Sequence, residues 1–333
     1  MILLWSGFLI CTGAIVYAGI KLSRYGDIIA EKTGLGKVWI GVVLMASVTS
    51  LPELVTGLSS VTYAGVPDIA VGDVLGSCVF NMLILSILDA FYRQTPISTR
   101  AHHGNVLSGG FGILLISIVV ISLYAGNKTP ILGWIGFDSL ILGVIYFIAM
   151  RLVFFYEKRH IAEYIKEVSI ELKYKDIPTR TALINYAINA LIIITAAVFL
   201  PKIGVGIAET TGLGQTFVGN IFIAISTSLP EVVVSISAVK MDAVDMAIGN
   251  LFGSNIFNIF ILVIDDFFFV KGPLLSFADT NHIPSALSAV AMTTVGIIGL
   301  TYRAEKKPLF LAWDSIGILL LYINNVMLLY MLR

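Results

Sequence analysis

Long apolar runs alternate with short polar ones from one end of this 333-residue chain to the other. A helix that crosses a bilayer needs roughly 20 apolar residues. Stretches of about that length lie at 2–20, 38–62, 69–91, 105–124, 132–154, 181–201, 216–239, 244–269, 284–301 and 310–332. The pattern therefore predicts an all-α integral membrane protein with ten transmembrane helices. No basic segment precedes the first run, which is longer than a signal-peptide core, so it is expected to be retained. The sizeable polar stretch, 156–180, holds Glu157, Lys158, Arg159, Lys166, Glu167, Lys173, Lys175 and Arg180. It reads as a solvated loop, compatible with some helix, and divides the chain into five-helix halves at 1–155 and 181–333.

Composition agrees. The chain is 57% hydrophobic and 13% charged, whereas soluble domains carry about a quarter charged residues. Its formal net charge is zero, so nothing suggests a nucleic-acid partner; the expected partner is the lipid bilayer. Cys11 and Cys78 both sit in apolar runs without metal-ligand spacing and read as small core residues. Lys and Arg are unevenly distributed. Loops sharing a side with 156–180 carry most of the 21, and the other side carries only Lys128, Lys202, Lys271 and Arg333. Positive residues collect on the cytoplasmic side, so both termini are expected outside a cell membrane and 156–180 in the cytoplasm.

An internal repeat changes the picture most. Thr33-Gly34-Leu35-Gly36 returns as Thr211-Gly212-Leu213-Gly214, and Thr49-Ser50-Leu51-Pro52-Glu53 returns as Thr227-Ser228-Leu229-Pro230-Glu231. Gly41 and Ala46 return as Gly219 and Ala224. After the loss of one residue the match continues: Asp68 with Asp245, Gly72 with Gly249, Gly76-Ser77 with Gly253-Ser254, Phe80-Asn81 with Phe257-Asn258, Asp89 with Asp266, and Pro96 with Pro273. Equivalent helices in halves of five must cross the membrane in opposite directions. Such inverted repeats are typical of secondary transporters, whose sites lie near the midplane.

Glu53 and Glu231 fall near the middle of apolar spans, where an ionisable group is expensive and points to function. Pro52 and Pro230, just before them, have no N–H to return to the carbonyls of Val48 and Ser226. A helix broken at that depth is tolerated where its backbone lines a polar cavity. Two carboxylates, freed carbonyls and nearby hydroxyls make an oxygen cage suited to hard cations. Two glutamates supply −2, which one Ca²⁺ or two Na⁺ neutralise. Ser77 with Asn81, and Ser254 with Asn258, share helix faces at a spacing of four, as ligands or as interhelical hydrogen-bonding pairs. Gly72/Gly76 and Gly249/Gly253 read mainly as close-packing pairs, Asp89 and Asp266 as interfacial or capping residues, and the Thr-Gly-Leu-Gly copies as helix-ending turns. His102 and His103, in a cytoplasmic loop, have no expected role.

The paired T-S-L-P-E and G-S-x-x-F-N motifs resemble the two repeats of the cation/calcium exchanger superfamily, and most closely prokaryotic sodium/calcium exchangers. The resemblance covers essentially the whole chain. It implies an antiporter that exchanges Ca²⁺ for Na⁺ by alternating access, with no cofactor. Residue by residue it implies Glu53 and Glu231 as central ligands, Thr49 and Thr227 as backbone and hydroxyl ligands, and Asn81 and Asn258 completing the middle site. Ala46 and Ala224, with Ser77 and Ser254, would form flanking Na⁺ sites. Ser50 and Ser228 match motif positions of less definite role, and the first and sixth helices would slide as a gating pair.

Departures from the family pattern are visible. Val48 and Ser226 stand where glycine is usual, and Asn258 where potassium-dependent relatives have Asp. Asp73 stands where the pattern has Asn, which its repeat mate Asn250 keeps. Asp73 shares a helix face with Ser77 and Asn81, about 12 Å from Asn81 at 1.5 Å per residue. It is expected either to attract cations at an external entrance or to be a solvated or paired carboxylate. An H⁺/Ca²⁺ antiporter of the same superfamily is the rival function. A channel fits less well because channels usually surround a symmetric pore, whereas this site is enclosed in one chain and is compatible with a monomer. No nucleophile–base set suggests an enzyme.

Overall fold

The computed structural model describes residues 2–35, 37–92, 95–167, 174, 176–211, 227–308 and 310–331. It is almost wholly helical. In chain order the helices are α1 (Ile2–Thr33), α2 (Lys37–Thr49), α3 (Leu51–Tyr63), α4 (Pro67–Phe91), α5 (Gly104–Ala125), α6 (Phe137–Glu167), α7 (Thr179–Thr211), α8 (Leu229–Lys240), α9 (Val244–Phe268), α10 (Leu274–Phe277), α11 (Ile283–Tyr302) and α12 (Trp313–Met331). A hairpin of β1 (Ile131–Leu132) and β2 (Ile135–Gly136) precedes α6.

Eight of the described helices are long and apolar enough to cross a membrane, or nine spans when α2 and α3, bent by 41° at their junction, count as one. The expected span at 216–239 is described only from residue 227 onward, where α8 begins at Leu229. The polar stretch 156–180 starts as helix, because α6 continues to Glu167. Further along it, the Tyr174 hydroxyl donates to Asp27 at 2.9 Å and its amide to Glu31 at 2.8 Å, next to the Lys37–Asp27 ion pair at 2.7 Å.

The helix ends follow local chemistry. α1 stops at Thr33 because Gly34 takes φ +67, a left-handed conformation that glycine adopts without a Cβ penalty. α4 opens on Pro67, whose missing N–H is no loss in a first turn. Within α2, Ile40–Met45 is wound as a π-helix, a local widening that often marks functional segments.

The chain forms two compact units. One comprises Met1–Pro52 with Met150–Gly253, the other Glu53–Ala149 with Ser254–Arg333. In the first unit α1 packs along α7 and against α8. Ser23 of α1 donates to the Val234 carbonyl at 2.8 Å. α2 and α9 cross at backbone contact: a Cβ on Gly253 would fall 2.4 Å from Val42 Cα, and one on Gly41 would fall 2.4 Å from the Met246 carbonyl oxygen. The expected packing role of Gly249/Gly253 is thus met, by glycine on both helices.

In the second unit α11 packs against α4, α5 and α12, and Tyr146 stacks on Phe260 with ring centroids 4.1 Å apart. Both repeated aspartates cap loops here. Asp89 accepts from the amides of Ile97 at 2.8 Å and Ala312 at 2.7 Å, and pairs with Lys307 at 2.9 Å. Asp266 accepts from the amides of Leu274 at 2.6 Å and Gly136 at 2.9 Å. Each aspartate holds the amide eight residues ahead, just after a repeated proline, so the two motif copies close their loops in the same way. Large apolar side chains such as Leu320, Met327, Phe147 and Leu191 face outward, the surface that a lipid solvent requires.

Candidate functional site

The glutamates owe their positions to two matched breaks. α2 ends at Thr49 and Ser50 takes φ −90, ψ 9; before α8, Ser228 takes φ −86, ψ 5. Both values lie in the sparsely populated bridge region common at active sites. A new helix then starts on Leu51 or Leu229, with the proline second and the glutamate third. Each carboxylate therefore sits in the first turn of a helix, where unpaired amides and the helix dipole favour negative charge. Glu53 and Glu231 are each 1% exposed.

In the first unit, Ser50 Oγ donates to Glu231 Oε1 at 3.1 Å. Thr49 Oγ1 donates to the Met45 carbonyl at 3.1 Å and lies 3.3 Å from Asn250 Oδ1. The Asn250 amide donates to Ser235 Oγ at 3.0 Å. Thr49, Ser50, Thr227, Ser228, Ser235 and Asn250 are all fully buried. The Ala46 carbonyl accepts the Ser50 amide at 3.0 Å. Ala224 and Ser226 lie outside the described residues.

In the second unit, Ser77 Oγ donates to Glu53 Oε1 at 3.3 Å. The Asn81 amide donates to Asn255 Oδ1 at 3.0 Å. That bond occupies the Asn81 nitrogen, and its buried carbonyl oxygen has no hydrogen-bond partner among the described residues, so it could serve a cation. The Asn258 amide is fully buried and has no hydrogen-bond partner among the described residues, although the Cys78 thiol approaches it. Ser254 is fully buried, and Asp73 is buried on α4 one turn before Ser77.

Of the predicted residues, Ser50 is thus joined to Glu231 and Ser77 to Glu53 by hydrogen bonds. Asn255 and Ser235 were not foreseen. Asn255 orients Asn81, and its repeat position is Cys78; Ser235 holds Asn250, and its repeat position is Gly57. Comparison of the two motif copies therefore passes over both. An amide and a hydroxyl inside apolar spans were the available signal. Among the described residues no three His, Cys, Asp or Glu side chains cluster as a metal site; the oxygens on hand beside the glutamates belong to amides and hydroxyls.

Comparison with known proteins identifies a family and several relatives. The family model described as sodium/calcium exchanger protein matches residues 3–155 and 182–331. The inner membrane protein YrbG of Escherichia coli is 28% identical over 251 residues, 75% of this chain and 74% of that protein. The sodium/calcium exchanger MaX1 of Methanosarcina acetivorans is 24% identical over 336 residues, 91% of each chain. A solved structure of the sodium-calcium exchanger NCX_Mj superposes with a TM-score of 0.73 at 23% identity, covering 98% of each chain.

Proposed function

The chain belongs to the sodium/calcium exchanger family, and from that premise we propose that it is a Na⁺/Ca²⁺ antiporter working by alternating access. The observation that carries the proposal is the buried glutamate of each unit, placed in the first turn after a matched helix break and held by a serine hydroxyl. Glu53 and Glu231 supply the charge that compensates the transported ion. Thr49 and Thr227 contribute backbone and hydroxyl oxygens, and Asn81 and Asn258 their amide oxygens. Ala46, Ala224, Ser77 and Ser254 serve Na⁺. Ser50, donating to Glu231, orients that carboxylate, and Ser228 is assigned the corresponding role by repeat. With Asn258 in place of a carboxylate, potassium is not required. Sodium as the coupling ion has the name of MaX1 in its favour.

The architecture we propose is ten helices in two inverted five-helix repeats, 1–155 and 181–333, joined by the cytoplasmic segment 156–180, with both termini outside the cell membrane. The matched serine dihedrals and the matched Asp89 and Asp266 caps support the repeat. The packing of α1 along α7 supports these two helices as the sliding pair.

The test is uptake of radioactive Ca²⁺ into vesicles holding the purified protein. An outward Na⁺ gradient should drive uptake and a pH gradient should not. Uptake driven by the pH gradient alone would instead establish H⁺/Ca²⁺ antiport. Flux that neither saturates nor responds to counterflow would mean a channel.

A further inference from the structure

Asp265 is fully buried near the end of α9, and neither of its oxygens has a hydrogen-bond partner among the described residues. No basic side chain pairs with it there. The carboxylate is aimed at Gly57 of α3. A Cβ on Gly57 would lie 2.2 Å from Asp265 Oδ2 and 2.8 Å from Oδ1, so only glycine leaves room for it. Asp73 of α4 stands one turn before Ser77, which donates to Glu53, and Gly57 stands one turn beyond Glu53, so helix register brings Asp73 to the level of Gly57 and Asp265. All three residues belong to the second unit.

A carboxylate such as Asp265, taken out of water inside a membrane-spanning helix, is costly unless a counter-charge joins it. We infer that Asp73 and Asp265 form a second cation site, distinct from the Glu53 set, that takes a divalent cation of the Ca²⁺ type. Its two negative charges match one such ion. Oxygen ligation by a few carboxylates, completed by water, is ordinary for Ca²⁺.

Helix register places the site. Gly57 is one turn beyond Glu53 on α3, and Asp73 is one turn before Ser77, the residue that holds Glu53. Each offset is about 6 Å at 1.5 Å per residue. The site is therefore about one turn from Glu53, towards the loop that joins α3 to α4. As a station on the ion's path it rests on the antiporter reading; as a binding site it does not.

Equilibrium dialysis of the purified protein against radioactive Ca²⁺ tests it in four forms: wild type, E53Q/E231Q, D265N, and E53Q/E231Q/D265N. The inference expects E53Q/E231Q to retain one bound Ca²⁺ that the added D265N removes. Bound Ca²⁺ unchanged by D265N in both backgrounds would overturn the site, as it would if Asp265 were simply protonated. Undiminished binding in E53Q/E231Q would overturn the glutamate reading instead, so the two failures are distinguishable. Should D265N fail to fold, G57A serves as the second variant. It keeps both carboxylates but displaces Asp265, and should weaken the Ca²⁺ retained by E53Q/E231Q at least 10-fold; unchanged affinity would reject the site.

Discussion

The two copies of the motif share a backbone and differ in charge. Around Asn250 the second copy is neutral: its amide donates to Ser235, and the Thr49 hydroxyl lies beside its oxygen. At the equivalent positions the first copy has Asp73 and Gly57, and the unpartnered carboxylate of Asp265 fills the space a side chain would take. Yet the breaks at Ser50 and Ser228 agree within 4° in φ and ψ. Backbone breaks and glutamates are therefore what the two copies share, while the flanking positions differ. A family likeness speaks to the first and is silent on the second.

The largest expected effects test the shared part. E53Q and E231Q each remove one buried charge, worth roughly 3 kcal/mol of pairing, so each should slow Ca²⁺ exchange on the order of 100-fold. Both should do so alike. Normal exchange by either variant would break the equivalence of the two glutamates and the central-site proposal with it.

Next comes the crossing of α2 and α9. G253A puts a methyl 2.4 Å from Val42 Cα, where rigid backbone cannot give way. Overpacking of this kind destabilises by about 1–3 kcal/mol. Thermal unfolding in detergent should shift downward for G253A, and an unshifted midpoint would mean that the close approach is not a stabilising contact. Smaller again is the loss of one hydroxyl. S50A and S77A each remove a hydrogen bond to a carboxylate, worth about 1.5–3 kcal/mol, and should weaken Ca²⁺ binding by about 10-fold or somewhat more. If S50A alone weakened it, the two serines would not be equivalent supports.

Much of the fold was legible because its rules are short-ranged. Apolar run length marks spans, Pro52 and Pro230 mark breaks, and Gly34 marks a helix end. The repeat then singled out both serines that donate to a glutamate, Ser50 and Ser77. What it could not single out are residues whose mates are chemically unlike. Asp265 pairs with Leu88 in the repeat, Asn255 with Cys78, and Ser235 with Gly57, so each looks like an isolated polar residue in an apolar run. Their partners are set by how helices register against each other, which no local pattern encodes. Charge in 157–159 pointed to a solvated segment compatible with some helix, and the helix does carry on to Glu167, since charged side chains are compatible with helix once it leaves the apolar layer.

The smallest effects, opposite in sign, probe the divergent part. D73N removes a carboxylate buried inside a membrane-spanning helix, where a charge is costly. In Ca²⁺-free detergent its unfolding midpoint should therefore rise, and added Ca²⁺ should raise it less than it raises the wild type's, because stabilisation by a ligand follows its affinity for the folded state. N250D does the reverse to the neutral copy. The Ser235 and Thr49 hydroxyls can turn to donate to the new carboxylate, so the protein should still fold, but a buried charge without counter-charge should lower the midpoint in the absence of Ca²⁺. If D73N and N250D shifted stability in the same direction, charge would not be what separates the two copies, and Asp73 would act through packing alone.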